Sequence, residues 1–102
     1  MNSIIIIDDE LEICESIKMI LEYEDYKVDY FTKSSEGLNA LRTNSYDVLL
    51  LDIQMPGMTG FEVLNKIKKD GLEINVLMIS AHGSLENAVK ATKLGAFDFI
   101  EK

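Results

Sequence analysis

Short apolar runs alternate along the chain with stretches whose apolar residues recur every three or four positions. The first run, Ser3–Ile7, is continuous rather than alternating, as expected for a strand covered on both faces. Ile13, Ile17, Ile20 and Leu21 then follow a helical period. Lys27–Phe31 reads as a shorter strand whose charges suit a sheet edge, and Ser34 or Ser35 starts a second helix carrying Leu38 and Leu41. Tyr46–Leu51 is a central strand by its apolarity. The loop Asp52–Thr59 holds the only proline, Pro56, beside Gly57. Thr59-Gly60-Phe61-Glu62 has capping-box spacing and starts a third helix near Gly60. Val63, Leu64 and Ile67 are its buried stripe and Gly71 its stop. Val76–Ile79 is the fourth strand. Ser84 begins a fourth helix, with Leu85, Ala88, Val89 and Thr92 on one face and Glu86 four residues before Lys90 on the other. Gly95 closes it ahead of a fifth strand, Phe97–Ile100.

Five strands alternating with four helices predict one α/β domain over residues 1–102, built on a doubly wound parallel sheet. A fifth helix would normally cover the last strand. The expectation is therefore that either the chain is a piece truncated before its last helix, the favoured reading, or a partner chain covers the gap.

Composition narrows the class. With 102 residues, 47% of them hydrophobic, there is apolar surface for a single core. Eighteen acidic against ten basic residues give a net charge of −8, which disfavours direct binding of nucleic acid or of an anionic membrane. No apolar stretch approaches the roughly 20 residues of a membrane span. Met1-Asn2-Ser3 runs straight into an apolar segment without a basic leader, so a cytoplasmic location is expected. The single cysteine, Cys14, cannot form an internal disulfide and reads as a small core or boundary residue.

The chemistry lies at the strand ends. Asp8 and Asp9 follow the first strand, Asp52 the third, and Lys102 the fifth; Ser80 ends the fourth. In a parallel sheet these groups meet at one edge, where open α/β sheets bind ligands. A helix cap explains one acid of the Asp8-Asp9 pair, but the second less well. Three carboxylates at about 4–6 Å would repel by roughly 1–4 kcal/mol per pair, a cost that a divalent cation relieves. Mg2+ suits an all-oxygen set of this kind. A carboxylate can also act as a nucleophile toward phosphorus, and the transferred group then needs positive charge and hydrogen-bond donors, which Lys102 and Ser80 supply.

The segments Ile7-Asp8-Asp9-Glu10, Leu50-Leu51-Asp52-Ile53-Gln54-Met55-Pro56-Gly57-Met58-Thr59-Gly60, Ser80-Ala81 and Gly95-Ala96-Phe97-Asp98-Phe99-Ile100-Glu101-Lys102 together resemble the receiver domains of two-component response regulators. The resemblance spans the whole chain in order. It implies a flavodoxin-like sheet with strand order 2-1-3-4-5, Asp52 as phospho-acceptor, and Asp9 as a direct Mg2+ ligand. Asp8 would contribute directly or through water, and the backbone carbonyl of Gln54 would be a further ligand. Ser80 matches the switch hydroxyl, Phe99 the aromatic switch behind it, and Lys102 the lysine that contacts the phosphoryl oxygen. Gln54 and His82 match positions that tune how fast the phosphate is lost. Implied partners are a sensor histidine kinase and an output domain or protein outside this chain, with transcription as the regulated process. The segment from His82 to Phe99 is most similar to NtrC-type receivers. Two departures stand out: Phe99 replaces a common tyrosine and has no hydroxyl, and the final helix is absent. Its loss would expose the apolar side of the fifth strand, put the usual dimer surface in doubt and favour exchange of segments between chains.

Such a protein is a switch that assists its own phosphorylation and dephosphorylation, not an enzyme acting on others. Two other classes fit less well. A haloacid-dehalogenase-type phosphatase needs a second acid two residues beyond the nucleophile, where Gln54 stands. A flavodoxin would need a Ser/Thr/Gly-rich phosphate loop after the first strand, where Asp8-Asp9-Glu10 would repel a phosphate. His82 read alone is a solvated loop histidine, and it cannot form a zinc site with one distant cysteine.

Overall fold

The computed structural model describes residues 2–80 and 85–101. Five parallel strands, β1 (Ser3–Ile7), β2 (Lys27–Phe31), β3 (Val48–Asp52), β4 (Asn75–Ser80) and β5 (Asp98–Glu101), form one sheet in the order 2-1-3-4-5. Between them run α1 (Leu11–Tyr23), α2 (Ser34–Thr43), α3 (Gly60–Lys69) and α4 (Leu85–Lys93). The doubly wound architecture and the strand order are those expected.

The continuous apolar runs divide between two faces because successive strand side chains point to opposite sides. Ile5, Ile7, Leu49, Leu51, Val76 and Met78 face α2, α3 and α4 and meet Leu38, Leu64, Ile67 and Ala91 there. Ile4, Ile6 and Val28 face α1 and pack with Cys14, Ile17 and Leu21. Among the described residues α1 is the one helix on that second face. Beside it an open groove of about 510 Å3 is lined by Ile4, Leu21, Val48, Leu50 and Leu77, and Ile100 of β5 is 45% exposed.

Helix ends follow the sequence's punctuation, with one exception. Thr59 caps α3 by accepting from the Glu62 N–H at 3.3 Å. Gly71 and Gly95 close α3 and α4 in left-handed conformations, φ +70° and +95°. In both, the next residue's N–H reaches back to the helix's last turn: Leu72 to the Ile67 carbonyl at 3.1 Å and Ala96 to that of Ala91 at 3.0 Å. Asp25 takes the same role after α1 at φ +67°, with Tyr26 N–H on the Leu21 carbonyl at 3.0 Å. No glycine announced that stop.

Strand boundaries shift. β3 starts at Val48, two residues later than the apolar run; before it the Tyr46 hydroxyl donates to Asp29 at 2.6 Å, and Asp47 is bound to Ser3 by its carboxylate and its backbone N–H, each at 2.8 Å. β4 gains Asn75 and Ser80 at its ends, and β5 begins at Asp98, leaving Phe97 71% exposed. Ser34 does begin α2, but its hydroxyl does not cap the helix. It donates to the Met58 carbonyl at 2.9 Å, tying α2 to the loop that follows β3.

Candidate cation site at the sheet edge

Asp8 leaves β1 and is fully buried, its N–H still held by the Phe31 carbonyl of β2 at 3.2 Å. Its carboxylate Oδ1 accepts the N–H of Glu10 at 2.9 Å, and its carbonyl accepts the Cys14 thiol of α1 at 3.3 Å. Cys14 is therefore a buried core residue, as its pattern predicted, that also grips the strand end. Asp9 and Glu10 are exposed beside it.

Asp52 is the last residue of β3 rather than the first of the loop, paired in register with Ile79 and only 3% exposed. Its backbone is clamped by α3. Gly60 N–H donates to the Ile53 carbonyl at 2.8 Å, and a Cβ on Gly60 would run into the Asp52 carbonyl oxygen. Glycine is therefore demanded at the start of α3, because only a bare Cα lets the helix come this close to the strand end.

One carboxylate oxygen from each of Asp8, Asp9, Glu10 and Asp52 lies within 4.8 Å of every other. Asp8, Asp9 and Asp52 meet as the strand pattern implied. Glu10 joins them as a member that the strand-end pattern does not single out; its signal is simple adjacency, a third acid in a row past β1. The donor set is all oxygen with no imidazole among its members, which fits a hard cation such as Mg2+ and not zinc.

Ser80 closes β4 at 1% exposure, one residue past the Asp52–Ile79 register pair and hence on the strand next to Asp52. Phe99 pairs with Met78 across β4 and β5 and packs on the core shared by α2, α3 and α4. By alternation it lies on the same sheet face as Ser80. Gln54 sits in the loop two residues beyond Asp52, with an exposed side chain. Lys102 and His82 lie outside the described residues, as does the start of α4 at Ser84.

An open parallel sheet of this order, with a buried carboxylate at the end of its central strand and further acids around it, defines a flavodoxin-like fold with a candidate cation site at the edge where such sheets bind ligands. The response regulator receiver domain model matches residues 4–102, and the chain belongs to that family. Transcriptional regulatory protein QseB of Escherichia coli O157:H7 is 35% identical over 99 residues, which are 97% of this chain and 45% of QseB. A response regulator receiver domain protein from Clostridium thermocellum superposes with a TM-score of 0.92 at 38% identity, over 100% of this chain and 82% of that one. TrrA of Thermotoga maritima, solved in complex with Mg2+ and BeF, gives a TM-score of 0.89 at 29% identity, over 100% and 87%. The chain spans less than half the length of the curated relatives it matches, 43–45% in the cases of YkoG, QseB and DltR. Among the described residues no helix is long and apolar enough to cross a membrane.

Proposed function

We propose that this receiver domain accepts a phosphoryl group on Asp52 from the phosphohistidine of a sensor histidine kinase and passes the change to an output that controls transcription. The carrying observation is the buried Asp52 carboxylate within 4.8 Å of the Asp8, Asp9 and Glu10 oxygens. Repulsion among these groups favours holding a cation before Asp52 can approach a phosphoryl group. Asp8, Asp9, Asp52 and the Gln54 backbone carbonyl would hold Mg2+, and the Mg2+–BeF complex of TrrA supports that assignment. When bound, the ion neutralises the carboxylates and draws charge from the phosphoryl oxygens.

Asp52 attacks phosphorus in line, the phosphorus–nitrogen bond of the phosphohistidine breaks, and its electron pair returns to the imidazole nitrogen. Ser80 then donates its hydroxyl to a phosphoryl oxygen and Lys102 adds a positive contact. Phe99 follows inward behind Ser80, and the surface over α4 and β5 changes as a shift between existing states. The reaction is stoichiometric, one phosphoryl group per chain, with the site's own residues assisting gain and loss. The charge of −8 argues that nucleic acid is contacted by an output outside this domain.

The test is intact mass after incubation with acetyl phosphate and Mg2+. The wild-type chain gains one phosphoryl group; Asp52→Asn gains none, and chelation suppresses the gain. Equal labelling of the two chains would remove Asp52 from its role.

A further inference from the structure

The turn between β1 and α1 is organised by Glu10, a residue for which the cation site as proposed has no use. Its N–H fixes Asp8 Oδ1 at 2.9 Å and its carbonyl accepts from Cys14 N–H at 3.1 Å. It stands at the N-cap of α1 with extended backbone, φ −88° and ψ 102°, and its side chain does not cap the helix. The carboxylate instead joins those of Asp8, Asp9 and Asp52. Glu10 thus orients one acid through its backbone and adds a fourth negative group through its side chain.

We propose that Glu10 is a specificity-determining residue of the cation site, widening it from Mg2+ toward larger, oxygen-seeking ions such as Ca2+. The proposal rests on the reading of this edge as a cation site. Mg2+ is small, keeps several waters and is satisfied by one or two carboxylates, so a fourth acid serves it only through charge. Ca2+ takes six to eight oxygens at longer distances in a flexible shell, and its affinity rises with the number of charged ligands. An exposed glutamate at the rim can bend to meet it.

Calorimetric titration of Mg2+ and, separately, of Ca2+ into the wild-type chain, Glu10→Gln and Asp9→Asn tests this. Glu10→Gln should weaken Mg2+ about two- to three-fold through lost charge and Ca2+ about ten-fold, shifting the ratio of the two dissociation constants several-fold toward Mg2+. An unchanged ratio in Glu10→Gln, with both ions lost in Asp9→Asn, would overturn the role of Glu10 alone. Full binding retained in Asp9→Asn would instead sink the cation site itself. Glu10 is exposed and its side chain does not cap α1, so the glutamine variant keeps the fold; a melting temperature that does not fall in metal-free buffer checks this.

Discussion

The two halves of the sheet are covered to different extents at their outer strand. Around β1 and β3, Ile5, Ile7, Leu49 and Leu51 are fully buried, α3 clamps the backbone of Asp52, and α1 holds Asp8 through the Cys14 thiol. Around β4 and β5, Val76, Met78 and Ser80 are equally buried, but at the β5 edge Phe97 and Ile100 are 71% and 45% exposed. Accepting a phosphoryl group demands fixed oxygen positions, because a small misplacement of a reacting atom is costly. Reporting it demands the opposite: two arrangements of similar energy, drawn from the less tightly packed part of the molecule. The buried acids and the less covered strand share one sheet because they occupy different strands of it.

The sharpest way to break this contrast is to cut side chains on each side of it. Leu64→Ala removes a fully buried leucine of α3 and should cost about 2–5 kcal/mol in urea unfolding. Ile100→Ala, on β5, should cost less than about 1 kcal/mol because much of that side chain already meets water. Comparable losses would mean the two halves are equally packed.

A smaller effect probes the acids. Asp9→Asn should lower Mg2+ affinity at least about ten-fold, while metal-free chain gains up to about 1 kcal/mol because one repelling charge has gone. Thermal melts with and without Mg2+ separate the two signs; a variant less stable without metal would show that the cluster is not under repulsion. Phe99→Leu addresses the readout. Phosphoryl uptake by intact mass should be unchanged, while the amide chemical-shift changes over α4 and β5 that accompany it shrink. A loss of uptake would tie Phe99 to the chemistry.

The smallest effect lies away from the edge. Burial, then the hydrogen bond and charge of Asp29, raise the Tyr46 pKa from 10.0 to about 12. A raised pKa favours the neutral phenol in the folded chain, so this stabilisation is full below pH 10 and is lost as pH climbs through the folded value. Ultraviolet titration should show one of the four tyrosines ionising last, and Tyr46→Phe should remove that step at a cost of about 1 kcal/mol. Four tyrosines titrating together would refute it.

Element types and their order were legible in the linear pattern, because a strand covered on both faces and a one-sided helix impose different periods on apolar residues. So were the acids past β1 and β3, since a parallel sheet brings successive strand ends to one edge. Other features depended on partners far away in the chain. The Tyr46 hydroxyl finds Asp29 and the Asp47 carboxylate finds Ser3, Ser34 serves a loop near Met58 instead of its own helix, and α1 stops at an aspartate. The membership of Glu10 in the carboxylate cluster and the steric demand for Gly60 against Asp52 belong to the same group. Periodicity reports whether a position faces the core. Which atom a polar group meets there is set by distances across the folded molecule, and those exist only once the strands and helices have packed.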